Sequence, residues 1–361
     1  MRGELKSLTA ARGIAAWLVV LYHMRVSLPW LPPFLQGLAA KGYLAVDFFF
    51  LLSGFVIYLS AHRALLKDGA GAVPAFLGRR FARIYPLYAF ILAGTVAFAF
   101  VLRMTGRDDS GYPWAELPLH VAMMQNWGLT QALSWNHPAW SISAESAAYL
   151  LFPALILWTP ISRTGRTGLL IGMVAMLLLL LLWLRFDGQE TLGGDIARHG
   201  LARCLTEFAC GAMLCAFWLK GAAYERHAML FAGGAAMVLW SLWLSGVANE
   251  IWAFPAGAAC LILMLAHASA LPHNPLHARA LVYLGAISYA TYLAHYMAWI
   301  VFKILFVEDA AAVGPSLAAA FLLLMLPLSM LLYHGIERPG RSWLSRPMPR
   351  WRRAVAGAGR D

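Results

Sequence analysis

The sequence of 361 residues is 61% hydrophobic and only 12% charged, and its mean hydropathy is +0.65. Soluble domains carry about 25% charged residues, so this composition excludes a soluble globular protein and indicates a polytopic membrane protein. The formal net charge of +11 at pH 7 is compatible with either nucleic-acid binding or membrane orientation, and the positions of the Lys and Arg residues decide between them.

Hydrophobic stretches long enough to cross a bilayer predict an all-α membrane protein with about ten transmembrane helices. They lie at about residues 9–28, 42–60, 84–102, 139–158, 167–185, 198–219, 228–247, 250–269, 280–306 and 315–334. The first has no small-residue cleavage site, so we expect it to remain as a span and not to act as a signal peptide. The last helix is expected to end at Glu337, before Pro339.

The basic residues predict the orientation of these helices. Ten spans place both chain ends on one side, and that side also receives the RRFAR cluster at 79–83 and most of the 28 Lys and Arg. By the positive-inside rule, both termini are expected to be cytoplasmic, and no nucleic-acid partner is expected. We predict one membrane domain at residues 1–340 and a basic cytoplasmic tail at 341–361 that lies on anionic lipid headgroups.

Ionisable residues inside a membrane span are candidates for function, and two of those in the first span stand out. Arg12 is near its start and His23 lies deep inside it. The two share a helix face and are separated by about 16 Å along the axis. They can hold the two ends of one long ligand, with phosphates at the cation and a reactive group at the imidazole. The alternative is a snorkelling Arg and a His that packs within the bundle.

The second and third spans add further polar positions. Asp47 is expected to face a polar interior or to pair with a cation. Beside Ser53, Gly54 allows another backbone or a ligand to approach closely, although ordinary helix packing also explains it. Arg80 and Arg83 are three residues apart and share a helix face, which suits phosphate recognition. Arg clusters at cytoplasmic helix ends are also common topology signals.

The fourth span places Glu145 on the same face as Ser141, inside an apolar helix. A carboxylate there can orient an imidazole, hold a cation or bind sugar hydroxyls. Trp140 offers a surface on which a ring can stack.

Two later spans repeat this pattern. Arg203 and Glu207 are four residues apart, so they can form an ion pair within their own helix. Ser288, Tyr292 and His295 form a polar stripe on an apolar helix.

The four cysteines, at 204, 210, 215 and 260, all fall in predicted spans. They have neither a metal-binding spacing nor an evident disulfide pattern, so we interpret them as packing residues and expect no metal site.

In order, these motifs resemble those of the acyltransferase-3 family of bacterial membrane acyltransferases, over about residues 8 to 339. The family often follows its Glu with a second Glu, Gln and Phe, where this chain has Ser146, Ala147 and Ala148 and so keeps a single acid. No appended SGNH-type domain is expected. The segments that carry the resemblance are the pair Arg12 and His23, FFFLLSGFVI at 48–57, RRFARIYP at 79–86, WSISAE at 140–145, RCLTEFACG at 203–211, ISYATYLAH at 287–295 and IERP at 336–339.

The resemblance implies an enzyme of the bacterial inner membrane that moves an acyl group, most often acetyl, from acyl-CoA to a glycan hydroxyl. Acetyl-CoA is then a donor substrate, and no permanently bound cofactor is expected. In this interpretation His23 is the general base, and Glu145 orients the imidazole or positions the acceptor. The cations that would bind the CoA phosphates are Arg12, Arg80 and Arg83. A covalent acyl-His23 intermediate is the alternative route.

The expected partners are membrane lipids, acyl-CoA, a glycan or lipid-linked glycan acceptor and polysaccharide-assembly machinery. Three alternatives stay open: acylation of a non-glycan small molecule or lipid, a polytopic secondary transporter, and a scaffold component of an export complex. The remaining polar positions are assigned to substrate binding or to structure: Asp47, Ser53, Trp140, Ser141, Arg203, Glu207, Ser288, Tyr292 and His295.

Overall fold

The computed structural model of the protein describes residues 5–221 and 226–345, which contain helices and no strand. Its helices of 18 or more residues are α1 (Lys6–Met24), α2 (Ala45–Asp68), α3 (Val73–Met104), α4 (Ala139–Trp158), α5 (Arg166–Phe186), α6 (Ile196–Leu219), α7 (Arg226–Leu244), α8 (Glu250–Ala268), α9 (Arg279–Phe306) and α10 (Pro315–Leu332).

Eight helical segments of the described chain are long and apolar enough to cross a membrane. One of them, Pro33–Met104, contains both α2 and α3. Helix α9 is 28 residues long, carries four Tyr and one His, and is not among the eight. The all-α membrane fold is therefore confirmed, whereas the number of ten spans and the cytoplasmic side of the termini stay predictions.

Short helical elements connect the long helices. The 3₁₀ turns are Arg25–Ser27, Lys41–Leu44, Gly69–Ala72, Trp114–Glu116 and Pro275–His277, and the short α-helices are Pro33–Ala40, Leu117–Val121 and Arg338–Leu344. The connection between α3 and α4 is the longest and is mostly irregular.

Helix α3 begins at Val73, eleven residues before the predicted start at 84. The RRFAR cluster therefore lies within the helix and not in a connection, which is reduced to Gly69–Ala72. Pro74 sits in the first turn, where its missing N–H costs no hydrogen bond, and the following Ala, Leu and Arg favour helix.

The prediction that the last helix ends at Glu337 is wrong. The chain continues from α10 through a π-helical turn, Tyr333–Glu337, into the helix Arg338–Leu344. Pro339 is tolerated because it stands in the first turn of that helix. Residues 341–344 of the predicted tail belong to this helix, and the rest of the tail from 346 onwards lies outside the described residues.

Two helix pairs meet at backbone contact through glycines. Helix α2 crosses α6 where Gly54 faces the Phe208 carbonyl and Gly211 faces that of Leu51, and the absence of a side chain at Gly54 permits the close approach that was expected there. Helix α1 crosses α9 where Gly13 and Gly285 meet. A β-carbon at these positions would collide with a backbone atom, so glycine is required there.

Candidate functional site

A cavity of about 180 Å³ lies at the end of the bundle where α1 and α3 begin, and we call it the arginine cavity. It brings together the three cations proposed for phosphate binding and the carboxylate Glu145. Its polar lining comes from α1, α2, α3, α4 and α9 and consists of Arg12, Ser53, Arg80, Arg83, Ser141, Glu145, Tyr149, Ser288, Tyr289 and Tyr292.

The three arginines of this cavity are held differently. Arg12 donates from Nε and Nη2 to the Gly285 carbonyl oxygen, at 3.2 and 2.6 Å. Arg83 forms an ion pair with Glu337, which is almost fully buried. Arg80 has a buried Nε without a hydrogen-bond partner among the described residues. Arg80 therefore keeps donor capacity for a ligand.

Glu145 accepts hydrogen bonds from Ser53 Oγ and from the Tyr149 hydroxyl, the latter at 2.5 Å. The sequence analysis missed Tyr149, although its position four residues after Glu145 on one helix face signals the contact. It also missed Glu337, whose position in the IERP segment was the available signal.

A second cavity, of about 300 Å³, lies toward the opposite end of the bundle, and we call it the histidine cavity. It is formed where α1 ends and α2, α4 and α6 begin. Its lining includes Tyr22, His23, Arg25, Tyr43, His137, Trp140, Arg203, Tyr292 and Tyr296.

His23 and Glu145 thus line different cavities, so Glu145 does not hold the His23 imidazole in this structure, and its role beside the imidazole or the acceptor stays a prediction. The rise of α1 explains this, since eleven residues carry His23 about 16 Å away from the end where Arg12 and Glu145 lie. Other side chains lie next to the His23 ring.

Tyr292 and Val46 line both cavities and form the wall between them. The Tyr292 hydroxyl lies 2.6 Å from Ser141 Oγ and donates to the Pro138 carbonyl oxygen at 3.0 Å. Arg12 and His23 therefore line different cavities, and a ligand that reaches both must pass this wall.

Aromatic rings surround His23. Its ring centroid is 5.1 Å from that of His295, 5.2 Å from Tyr296 and 5.0 Å from Tyr22.

His137 stacks on Tyr296 at 4.9 Å and shares a hydrogen bond of 3.1 Å with its hydroxyl. Burial lowers the pKa of His137, which lies in the connection before α4, so its ring is neutral at pH 7. The sequence analysis missed His137 and Tyr296, which directly flank the quoted WSISAE and ISYATYLAH segments.

The predicted pair of Arg203 with Glu207 is wrong. Arg203 instead binds both oxygens of Asp47, at 2.5 and 2.6 Å, because α2 presents this carboxylate to the planar guanidinium across the contact with α6. Asp47 thus pairs with a cation, as expected. The Glu207 carboxyl oxygens have no hydrogen-bond donor among the described residues. The Arg203 guanidinium also lies over the Trp140 ring at 5.5 Å.

The polar stripe of α9 is divided among three places. Ser288 donates to the Gly285 carbonyl oxygen at 2.9 Å in the arginine cavity, Tyr292 forms the wall, and His295 lies buried behind His23. In the part of the chain that the structure describes, no group of His, Cys, Asp or Glu is arranged to hold a metal ion.

Comparisons with known proteins agree on the chemistry. The acyltransferase-3 family model, described as an acyltransferase domain, matches residues 5–334. The chain is 26% identical over 371 aligned positions to the putative membrane-bound transacylase BcsY of Komagataeibacter xylinus, which covers 96% of this chain and 85% of that protein.

Two further relatives are matched over a smaller part of their own length. Acyltransferase MdmB of Streptomyces mycarofaciens is 35% identical over 168 residues, 44% of this chain and 40% of the relative. The putative peptidoglycan O-acetyltransferase YrhL of Bacillus subtilis is 25% identical over 374 positions, 94% of this chain and 55% of the relative. The match thus spans about half or less of these two relatives. No solved structure matches the chain.

Proposed function

The chain belongs to the acyltransferase-3 family of membrane acyltransferases, and on this basis we propose that it moves an acyl group, in particular acetyl, from acyl-CoA to a glycan hydroxyl. The observation that carries the proposal is the pair of cavities that meet at Tyr292. One is lined by arginines, the other by His23.

The arginine cavity suits the donor. CoA is anionic at its nucleotide end and carries its thioester on a long neutral arm, and arginine binds phosphate oxygens through planar paired donors. The cavity, of about 180 Å³, is small beside a whole CoA molecule, so we place the thioester and part of the arm inside it and the nucleotide outside. The nucleotide phosphates would therefore remain at the mouth, near Arg80.

The histidine cavity suits the acceptor. Tyr22, Trp140 and Tyr296 present aromatic surfaces on which the apolar face of a sugar ring can lie. His23 is positioned there to take a proton from an acceptor hydroxyl.

The proposed reaction joins the two cavities. His23 accepts the hydroxyl proton as the acceptor oxygen attacks the thioester carbonyl carbon, the carbon–sulfur bond breaks, and the CoA thiolate takes the proton back from the imidazolium. The products are the ester and free CoA. This requires the Tyr292 side chain to move aside, because it separates the two sites. In the alternative route, His23 attacks the thioester and then passes the acyl group to the hydroxyl.

The proposed class of acceptor is inferred from the names of two relatives. YrhL and the peptidoglycan O-acetyltransferase OatA of Listeria monocytogenes are named for a glycan substrate. We therefore favour an exopolysaccharide, lipopolysaccharide or other surface glycan, made with the help of polysaccharide-assembly machinery. With the arginine cavity on the cytoplasmic side of a bacterial inner membrane, the donor comes from the cytoplasm and the acceptor lies toward the opposite face.

The test uses purified protein in lipid nanodiscs, acetyl-CoA labelled in the acetyl group and a crude surface-glycan acceptor. Wild type is compared with His23→Ala, Arg12→Ala and His273→Ala, the last being an exposed histidine outside both cavities. We expect label in the glycan with wild type and His273→Ala, and a loss of about 100-fold or more with His23→Ala. Arg12→Ala should mainly raise the KM for acetyl-CoA.

Three results would contradict the proposal. Full transfer by His23→Ala would exclude His23 as the base. Label in a lipid or small molecule and not in glycan would favour the non-glycan acceptor. Movement of a substrate driven by an ion gradient, without use of acetyl-CoA, would favour a transporter.

A further inference from the structure

His295 occupies an unusual position behind His23. Its side chain is 1% exposed and lines neither cavity, whereas His23 lines the histidine cavity. The two ring centroids are 5.1 Å apart and the rings are tilted by 46°. His295 therefore supports His23 from the side that faces away from the acceptor.

The hydrogen-bonding state of His295 follows from its backbone contact. Its Nδ1 lies 2.6 Å from the Tyr292 carbonyl oxygen, which can only accept, so Nδ1 carries the hydrogen. In the neutral ring, Nε2 is then a hydrogen-bond acceptor. This nitrogen is buried and has no partner among the described residues. A buried acceptor without a donor is costly, and such a group calls for an explanation.

We propose that His295 is the positioning residue of His23, an inference that rests on the proposed function. His295 would orient the His23 imidazole, a role that the sequence had suggested for Glu145. Its Nε2 accepts a hydrogen bond from one ring nitrogen of His23. The other His23 nitrogen is then left with its lone pair directed toward the acceptor hydroxyl in the histidine cavity. The Tyr292 carbonyl thus sets the tautomer of His295, and His295 sets that of His23.

The separation of the rings agrees with this arrangement. Two imidazoles joined by one N–H···N bond of about 2.9 Å have ring centres about 5 Å apart. The bond itself is not formed in this structure, and it requires a rotation of the His23 ring, which borders open space. Catalytic hydrogen bonds commonly tighten only when the substrate binds.

The other charged or imidazole groups near His23 are less suited to this role. The charged or titratable groups that act on it most strongly are His295, His137 and Arg25. Arg25 is a cation without an acceptor and donates to the Tyr22 carbonyl oxygen. His137 is engaged with the Tyr296 hydroxyl. Of these three residues, His295 is the one with a buried ring nitrogen that has no hydrogen-bond partner among the described residues.

Two substitutions separate this role from simple packing. His295→Gln places a carbonyl oxygen near the position of Nε2, whereas His295→Leu has a similar size and no acceptor. We expect His295→Leu to lower kcat about 100-fold and to leave the KM for acetyl-CoA within about twofold, because the donor binds in the other cavity. His295→Gln should recover at least about tenfold of that loss.

Two further measurements exclude a structural explanation. His295→Leu should change the pH dependence of kcat/KM, because it removes the partner of the proposed base. In a His23→Ala background it should lower the residual activity by less than about twofold. The matched control is His62→Leu, since His62 is also buried, its Nδ1 lies 2.6 Å from the Tyr58 carbonyl oxygen, and it borders neither cavity.

The outcomes are distinct. The inference is overturned if His295→Leu and His295→Gln lose the same activity with an unchanged pH profile, or if His62→Leu lowers kcat as much at equal thermal stability. If wild type transfers acyl groups and His295→Leu transfers them at the same rate, the role of His295 is rejected and the proposed function stays intact. Folded wild type that never uses acyl-CoA would reject the proposed function itself.

Discussion

Arg203 of α6 is joined to Asp47 of α2 by two hydrogen bonds, at 2.5 and 2.6 Å, and both side chains are at most 2% exposed. The pair ties the start of α2 to α6 close to the histidine cavity, which Arg203 itself lines. A third donor of the guanidinium reaches the Leu192 carbonyl oxygen at 2.6 Å. The charge of Arg203 is therefore well satisfied, and its main effect is on the positions of the helices.

Removal of Arg203 should destabilise the protein strongly. Arg203→Leu leaves the Asp47 and Glu207 carboxyls buried together without a cation, and breaking a buried pair in this way costs about 3–5 kcal/mol. Asp47→Asn should cost less, because Glu207 lies close enough to Arg203 to replace part of the lost attraction. Thermal and denaturant unfolding in detergent measures both effects.

The matched control is Arg185→Ala, which removes an exposed ion pair with Glu190 at 3.7 Å. Exposed pairs of this kind contribute about 0–1 kcal/mol, so its unfolding should be close to that of wild type. Equal stability of Arg203→Leu and Arg185→Ala would show that the buried pair does not hold α2 against α6.

Gly54 should not tolerate even a methyl group. A β-carbon there would collide with the Phe208 carbonyl oxygen, and relief requires that α2 and α6 separate. Gly54→Ala should therefore cost about 1–3 kcal/mol or more, seen as a lower melting temperature and a lower yield of folded protein.

Gly94→Ala in α3 is the control for this substitution, because a β-carbon at Gly94 meets nothing within 4 Å. Alanine is favoured over glycine within a helix by about 0.5–1 kcal/mol, so Gly94→Ala should be neutral or slightly stabilising. A Gly54→Ala protein as stable as Gly94→Ala would mean that the two backbones are not in contact.

Hydrophobic length and local spacing explain what was predictable. Apolar runs located the helices, and the cost of burying a charge implied that Asp47 needs a cation. The three-residue spacing of Arg80 and Arg83 placed both on one face, and both line the arginine cavity. These properties depend on neighbours along one helix, so they can be read from the sequence.

Contacts between helices explain what was not predictable. Spacing along α6 favoured a pair of Arg203 with Glu207, but a carboxylate from another helix offers better geometry. The rise of α1 separates His23 from Arg12, but the position of Glu145 at the Arg12 end depends on how α1, α4 and α9 cross, which no single-helix pattern specifies. The wall at Tyr292 also arises from this crossing, since it needs Val46 of α2 beside it.

Arg80 should contribute to donor affinity, whereas its neighbour Arg79 should not. Arg80 lines the arginine cavity with an unpartnered Nε, and Arg79 is exposed outside it. Loss of a hydrogen bond to a charged group costs about 1.5–3 kcal/mol, so Arg80→Gln should raise the KM for acetyl-CoA at least about tenfold. Steady-state kinetics over a range of acetyl-CoA concentrations provide the measurement.

Arg79→Gln removes the same charge from the same helix and should leave the KM within about twofold. Arg83→Gln is a poorer comparison, because it also leaves the buried Glu337 without its cation. If Arg79→Gln and Arg80→Gln raise the KM equally, the effect arises from general surface charge and not from a site in the cavity.

Glu145→Gln should slow transfer without changing the titration of His23. The amide still accepts from Ser53 and Tyr149, so the fold is retained, but the negative charge beside the donor is lost. Replacing a charged hydrogen-bond acceptor by a neutral one should lower kcat/KM by about 10-fold to 100-fold. Because Glu145 lies in the arginine cavity, the shape of the pH profile should match that of wild type. If Glu145→Gln instead displaces the pH profile of kcat/KM as His295→Leu does, Glu145 contacts His23 when both substrates are bound. The wall at Tyr292 must then open far enough to join the two cavities.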